Sequence, residues 1–223
     1  MGFGILLFMI PPLLLSLYAQ YKVKSSFAEM SKVPARMSGA AAARRMLDAS
    51  GLHSVGIERV PGELTDHYDP GAKVLRLSES VYDGHSMSAV GVACHEAGHA
   101  LQDANHYAPL VIRNFAVPAA NFGSGISGTL LMLGVLMSIK PLLWLGIITF
   151  SAVVLFQLVN LPVAFDASAR AKRQLVDLGM IADNDSYYIS KVLNAAALTY
   201  VAATLQSVMT LLYYILHAIG DRR

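Results

Sequence analysis

Four long stretches of the chain carry no charged residue: Gly2–Gln20, Asn114–Ile139, Pro141–Phe165 and Val192–Gly220. A helix needs about 20 apolar residues to cross the hydrocarbon core of a bilayer, so the last three stretches are long enough and the first is marginal. We therefore predict a mainly α-helical membrane protein with about four transmembrane helices. Pro11 and Pro12 are expected to kink the first helix. Polar residues in the last stretch leave open whether it crosses fully.

Between the first two apolar stretches, the pattern predicts a small α+β segment. A helix capped by Ser38 is expected to end at Gly51. Extended segments follow at 54–60, 63–68 and 73–77, separated by turns at Pro61-Gly62 and Asp69-Pro70-Gly71, and we interpret them as a short meander. The segment 73–77 alternates polar and apolar residues, which suggests a sheet edge that could pair with an extended peptide. A long helix is predicted to start near Ser86 or Ser88.

The composition supports a membrane location and excludes some other classes. Hydrophobic residues make up 55% of the chain and charged residues only 14%, whereas a soluble domain carries about 25% charged residues. A net charge of +2 without a basic cluster gives no reason to expect a nucleic-acid partner. The single cysteine, Cys94, excludes an intramolecular disulfide and is expected to be a buried thiol.

The distribution of Lys and Arg predicts the orientation in the membrane. Fourteen of these residues lie in 22–113 and 166–191, and three lie at Lys140 and the C-terminus. Cytoplasmic loops carry the excess of positive charge, so both segments are expected to face the cytoplasm of a bacterial plasma membrane.

Five segments follow from these patterns. Residues 1–21 are predicted to be an uncleaved membrane anchor, with a signal peptide as the alternative. The others are a cytoplasmic α+β segment at 22–113, a transmembrane hairpin at 114–164, a cytoplasmic helical segment at 165–191 that completes the site, and a membrane helix at 192–223.

The long helix contains the sequence His95-Glu96-Ala97-Gly98-His99. Residues four apart lie on one helix face, so His95 and His99 can direct their imidazoles at one ion. Glu96 lies one position round the helix and can act as general base toward an attacking water. The pattern predicts a zinc site for peptide hydrolysis, with zinc polarising the scissile carbonyl. Gly98 leaves room for substrate or a neighbouring element. The alternative is two core histidines that are merely hydrogen-bonded.

The whole chain resembles the YugP-type membrane zinc metallopeptidases of bacteria. The resemblance rests on the His95–His99 motif with Leu101-Gln102 and on the strings at 64–70, 105–110, 117–124, 150–159 and 194–203. It implies a zinc-dependent endopeptidase with a small zincin-like cytoplasmic domain that binds polypeptide substrates and lies in the lipid bilayer. A membrane protein partner or an oligomer is also compatible with it.

The resemblance also implies a third zinc ligand. In this family, and in the related gluzincin membrane proteases, that ligand is a Glu on the helix that follows a transmembrane span. The corresponding position here is Ala164, which cannot bind a metal. Three interpretations remain open: the chain is a deliberately inactivated form, Asp166 is the ligand or a substitute, or the chain is a natural pseudo-enzyme or uses another ligand.

Helical geometry assigns other roles to two neighbours of Ala164. Asp166 lies about 200° round the helix and is placed to pair with Arg170 at i+4. Ser168 lies one turn beyond Ala164 and is a candidate hydrogen-bond partner for a ligand imidazole. His67 and Tyr68 are weaker candidates for stabilising an oxyanion.

These inferences predict an integral-membrane endopeptidase that cleaves membrane or membrane-proximal polypeptides. His95 and His99 bind zinc, Glu96 activates water, and Ala164 makes this chain inactive or weakly active. The alternative from another class is a membrane scaffold or adaptor that retains the peptidase fold and binds polypeptides without cleaving them.

Overall fold

A computed structural model describes residues 2–220 of the chain, with side chains from residue 8 onward. Most of these residues are helical. The helices are α1 (Gly2–Met30), α2 (Gly39–Ala49), α3 (Glu79–Tyr82), α4 (Met87–Ala104), α5 (Ala108–Leu136), α6 (Lys140–Asp177) and α7 (Ser186–Gly220), with a 3₁₀ turn at Asp183–Asp185. The strands are β1 (Gly56–Val60), β2 (His67–Asp69) and β3 (Val74–Ser78).

Three helical segments of the described chain are long and apolar enough to cross a membrane: Ala108–Leu136, Lys140–Asp177 and Asp183–Gly220. The last apolar stretch, whose crossing the sequence left open, is therefore among the candidates. The first apolar stretch lies within α1, which continues through Pro11 and Pro12. A fourth span, and a kink at these prolines, remain predictions.

The chain divides into two compact units. One contains residues 1–19, 109–161 and 199–223, and the other contains residues 20–108 and 162–198. Both α6 and α7 run through the divisions as continuous helices. The predicted segment boundaries at 164/165 and 191/192 thus fall inside helices, and the five-segment division remains a prediction.

The core of the unit formed by residues 20–108 and 162–198 is built from small and aliphatic side chains of α2, β3, α4, α6 and α7. Its fully buried members include Met46, Leu75, Val90, Leu175 and Ile189. Because α2, α4 and the last turns of α6 contribute mainly alanines and leucines to this core, the helices can approach closely. This packing holds α4 in a fixed position against α6.

In the unit formed by residues 1–19, 109–161 and 199–223, the helices contact one another through apolar and small residues. A buried cluster contains Leu131, Leu143, Ile147 and Ala218. Hydrogen bonds also join the helices of this unit: the Ser16 hydroxyl donates to Gln206 at 3.1 Å. Such bonds between polar side chains are typical of packed membrane helices.

The three strands form one sheet in the order β1–β3–β2. β1 pairs with β3 in parallel and β2 pairs with β3 antiparallel. The meander interpretation was therefore wrong, because the chain crosses over to place β3 between the other two strands. The segment 73–77 was also wrongly predicted as a sheet edge: as β3 it is the middle strand, with Leu75 and Leu77 fully buried. The edges belong to β1 and β2.

The predicted helix signals are confirmed. Ser38 caps α2 by accepting a hydrogen bond from the backbone N–H of Ala41 at 3.3 Å. Gly51, just after α2, has a φ of +75° that favours glycine. Ser86 caps α4 and accepts from the N–H of Ala89 at 3.3 Å. The helix that carries the motif thus starts at Met87, as the sequence predicts.

The cytoplasmic location and the zincin-like classification remain predictions.

Candidate metal and peptidase site

Helix α4 carries the motif on a buried face. His95 and Glu96 each expose only 8% of their surface, and His99 is half-buried. Small residues surround them on the same helix, with Ala93, Ala97 and Ala100 all buried. A buried imidazole or carboxylate is costly unless it is hydrogen-bonded or coordinates an ion. The partners of these three groups therefore indicate what the site is built to do.

The imidazoles of His95 and His99 lie next to each other one turn apart. Their ring centroids are 4.8 Å apart and the ring planes are inclined by 80°. Burial, and secondarily the neighbouring His99, lowers the pKa of His95 to about 3. His95 is thus neutral at ordinary pH, which is the form that binds a metal.

Each imidazole uses its Nδ1 atom in a hydrogen bond with a side chain. The Ser168 hydroxyl lies 3.0 Å from Nδ1 of His95, as the helical spacing of the sequence suggested. The Gln102 side-chain oxygen lies 2.9 Å from Nδ1 of His99. Metal-ligating histidines commonly anchor one ring nitrogen in this way and coordinate with the other. A metal held by this pair would therefore be coordinated through Nε2 of each ring.

The Glu96 carboxylate faces β2. Its Oε2 atom accepts a hydrogen bond from the backbone N–H of Tyr68 at 3.0 Å. The Tyr68 hydroxyl donates to Asp103 at 2.7 Å, and burial together with Asp103 raises the pKa of this phenol. The Tyr68 hydroxyl is thus engaged with the C-terminal part of α4, whereas its backbone orients Glu96.

Helices α4 and α6 approach each other closely at Gly98. A Cβ atom at this position would lie 2.6 Å from the backbone oxygen of Ala167, closer than real Cβ contacts come. Of the two roles that the sequence suggested for Gly98, the structure supports close approach of a neighbouring helix. This contact brings the Ser168 side of α6 against the histidines.

Position 164 lies one turn before Ser168 on α6, and Ala164 is buried at 3% exposure. Its methyl group offers no donor to a metal. Asp166 is held elsewhere: its Oδ2 atom accepts from Arg170 at 2.6 Å, the predicted i,i+4 pair, and from Gln102 at 2.8 Å. Within the described part of the chain, no group of three His, Cys, Asp or Glu residues is arranged to hold a metal ion.

The remaining candidates lie apart from this arrangement. His67 is exposed, with Nδ1 2.8 Å from the backbone oxygen of Thr65. Another histidine near the motif, His85, is likewise exposed, in the loop before α4. Cys94 is a buried free thiol, as expected, and burial raises its pKa to about 12. Neither the exposed histidines nor this thiol joins the pair on α4.

Sequence reasoning missed two contributors to the site. One is Gln102, a fully buried polar residue on an apolar helix face three positions after His99. Its spacing from His99 was the signal available in the sequence, because residues three apart on a helix are neighbours. The other is the backbone N–H of Tyr68, for which the side-chain pattern carries no signal.

The donor set fits zinc in part. Two imidazoles with anchored Nδ1 atoms, beside a carboxylate, match the kinds of ligand and base that a catalytic zinc site uses. At Ala164, where the resemblance implies a third protein ligand, the methyl group cannot supply one. The site is therefore suited to zinc chemistry but lacks one coordinating side chain.

Comparison with known proteins places the chain in a class. The family described as "Putative neutral zinc metallopeptidase" matches residues 5–219, and the chain belongs to this family. It is 51% identical over 210 residues to the "Putative membrane protease YugP" of Bacillus subtilis (strain 168), covering 93% of each chain. No solved structure matches the chain significantly. Family membership and the apolar helices identify a membrane protein of the zinc peptidase class.

Proposed function

We propose that this protein is an integral-membrane zinc-dependent endopeptidase that cleaves membrane or membrane-proximal polypeptides. The observation that carries the proposal is the pair of buried imidazoles on α4, with centroids 4.8 Å apart and with Glu96 between them in sequence. Family membership supports the same class. The excess of Lys and Arg in the unit that holds the site favours a cytoplasmic active site at the bacterial plasma membrane.

In this proposal, His95 and His99 hold zinc through their Nε2 atoms. Zinc, when bound, supplies Lewis acidity and lowers the pKa of water toward neutrality. Glu96 takes the proton from the attacking water, and the Tyr68 N–H, at 3.0 Å, keeps its carboxylate in position. Ser168 and Gln102 orient the two imidazoles.

The edge strand of the sheet nearest this carboxylate is β2, which replaces 73–77 as the proposed place for an extended substrate. Because Tyr68 already points its N–H at Glu96, a polypeptide along this edge would pass next to the general base. Main-chain pairing of this kind gives affinity that depends little on side chains. It would therefore suit an enzyme that acts on unfolded segments near the membrane.

Ala164 limits the activity of this chain in the same proposal. Without a third ligand the zinc site binds weakly, and hydrolysis is slow or absent. Glu at this buried position would supply the missing carboxylate. We expect Ala164→Glu to restore hydrolysis and tight zinc binding together, since both depend on the same coordination.

The test compares three purified variants in detergent with zinc, using unfolded β-casein as substrate. The chain as it stands should show little or no cleavage, Ala164→Glu should cleave, and Ala164→Glu combined with Glu96→Gln should not. A metal-chelated sample of the active variant serves as a second control. If zinc-loaded Ala164→Glu cleaves no more than the doubly substituted protein, the peptidase proposal is refuted for this site.

A non-catalytic scaffold or adaptor is the second candidate function, and Ala164 is the observation that favours it. Such a protein would keep the β2 edge of the sheet and hold polypeptides there without cleaving them. Capture of fluorescently labelled β-casein by the unsubstituted chain, measured by anisotropy, separates the two. Tight capture together with an inactive Ala164→Glu variant favours the scaffold.

A further inference from the structure

Gln102 occupies the centre of a buried hydrogen-bond network between α4 and α6. Its side chain is fully buried. Its Oε1 atom lies 2.9 Å from Nδ1 of His99. Its Nε2 atom donates to the backbone oxygen of Val163 at 2.8 Å and to Oδ2 of Asp166 at 2.8 Å. All three polar contacts of one amide group are therefore defined.

The chemistry of these partners leaves the amide one orientation. A backbone carbonyl and a carboxylate only accept hydrogen bonds, so the NH₂ group of Gln102 must face Val163 and Asp166. The amide oxygen then faces His99. Because this oxygen can only accept, Nδ1 of His99 must carry the proton, and the lone pair lies on Nε2.

Asp166 is itself held in place. Its Oδ2 atom accepts from Nε of Arg170 at 2.6 Å, and the Arg170 guanidinium lies over the ring of Tyr107, 5.6 Å from its centroid. Because a guanidinium can only donate, the Oδ2 atom that faces Arg170 is an acceptor, and the same atom faces the Gln102 amide. It cannot turn into a donor that would let the Gln102 amide flip.

We propose that Gln102 and Asp166 are positioning residues that fix the tautomer of His99 in its metal-binding form and tie α4 to α6 beside position 164. The proposal rests on the zinc-binding role given above to His99. The Val163 carbonyl immediately precedes Ala164. The same amide that orients His99 therefore also fixes the position of α6 relative to α4 at the point where the third ligand is expected. Asp166 thus acts through Gln102 rather than as a ligand.

The test reads the tautomer directly, without zinc or substrate. Protein labelled with ¹⁵N-histidine is studied by NMR at pH 8, where histidine is ordinarily neutral, and the signal of His99 is assigned by its loss in His99→Ala. The unsubstituted chain should show His99 with the proton on Nδ1. Asp166→Ala should give a mixture of both tautomers, and Asp166→Asn, which can still present an acceptor to Gln102, should restore the single form.

Two further variants make the test specific. Asp48→Ala removes another i,i+4 ion pair, with Arg44 at 2.8 Å, that has no connection to His99, and it should leave the tautomer unchanged. Gln102→Leu removes the amide and should lower zinc affinity by about 10- to 100-fold in a chelator competition assay. Asp166→Ala should lower it in the same direction and Asp48→Ala should not.

The outcome separates this proposal from the peptidase proposal. If Asp166→Ala leaves His99 in one tautomer and zinc affinity unchanged, Asp166 has no positioning role, whatever the enzyme does. If Ala164→Glu fails to hydrolyse protein while the tautomer shifts as expected, the peptidase function is refuted and the positioning role stands. The Asp166 side chain is partly exposed, so its substitutions are expected to leave the protein folded. They therefore test the positioning role even if Gln102→Leu does not fold.

Discussion

The close contact of α4 with α6 at Gly98 makes a quantitative prediction. In Gly98→Ala the new Cβ would lie 2.6 Å from the Ala167 backbone oxygen, 0.4 Å inside the 3.0 Å below which such contacts are essentially absent. A backbone oxygen cannot rotate away, so the helices must separate. Overpacking of this kind costs about 1–3 kcal/mol, against which the change from Gly to Ala in a helix gains about 1 kcal/mol.

Gly91, seven residues earlier on the same helix, provides the matched control. The nearest atoms that a Cβ there would meet belong to Ile189, at 3.4 Å and beyond, which is ordinary contact. Gly91→Ala therefore gains helix propensity without the clash. The difference between the two variants isolates the overpacking, about 1–3 kcal/mol, which corresponds to about 2–12 °C in melting temperature for a chain of this size.

Thermal unfolding of both variants in the same detergent, followed by circular dichroism, measures this difference. Gly98→Ala should melt lower than Gly91→Ala by that margin and should also bind zinc more weakly, because the separation lengthens the contact between Ser168 and His95. Equal melting temperatures would refute the close approach of the two helices. Equal melting temperatures with normal zinc binding would also remove the argument that α6 organises the site.

Three other predictions concern individual side chains. Ser168→Ala removes the partner of His95 Nδ1 and should lower zinc affinity about 10- to 100-fold in chelator competition. In the Ala164→Glu background, Glu96→Gln should reduce β-casein hydrolysis by about 10²- to 10⁴-fold while zinc still binds, as measured by metal content after gel filtration. Cys94, whose pKa burial raises to about 12, should resist iodoacetamide at pH 8 in the folded protein and react fully in denaturant, because only the thiolate is nucleophilic.

Each of these has a defined contrary result. Ser151→Ala, which removes a hydroxyl bonded only to the Ile147 carbonyl of its own helix, should leave zinc affinity unchanged, and an equal loss in both serine variants would point to general destabilisation. Hydrolysis that persists after Glu96→Gln would assign the base elsewhere. Rapid alkylation of Cys94 in the folded state would contradict the described packing of α4.

The elements that the sequence predicted well are those set by local interactions. The caps at Ser38 and Ser86 and the pairing of Asp166 with Arg170 all follow from spacing along one chain segment. The same spacing, applied three residues past His99, could have found Gln102. These contacts were predictable because a helix fixes which residues are neighbours.

The sheet was not predictable in the same way. The alternation of polar and apolar residues predicts that residues 73–77 form a strand. It does not indicate whether that strand lies at the edge or in the middle of the sheet. Its central position follows from the crossover that pairs β1 in parallel with β3, which depends on contacts distant in sequence. The contact of Tyr68 with Glu96 escaped prediction for a different reason, since a backbone N–H is present at nearly every residue.

The continuity of α6 restricts how the length of this protein can vary. The helix runs from Lys140 to Asp177 without interruption, and Pro162 lies two residues before Ala164. A single residue inserted between positions 164 and 168 would turn Ser168 by about 100° relative to Ala164 and advance it by about 1.5 Å along the helix axis. Only an insertion close to whole turns, such as seven residues, would return Ser168 to the same face of α6 as Ala164.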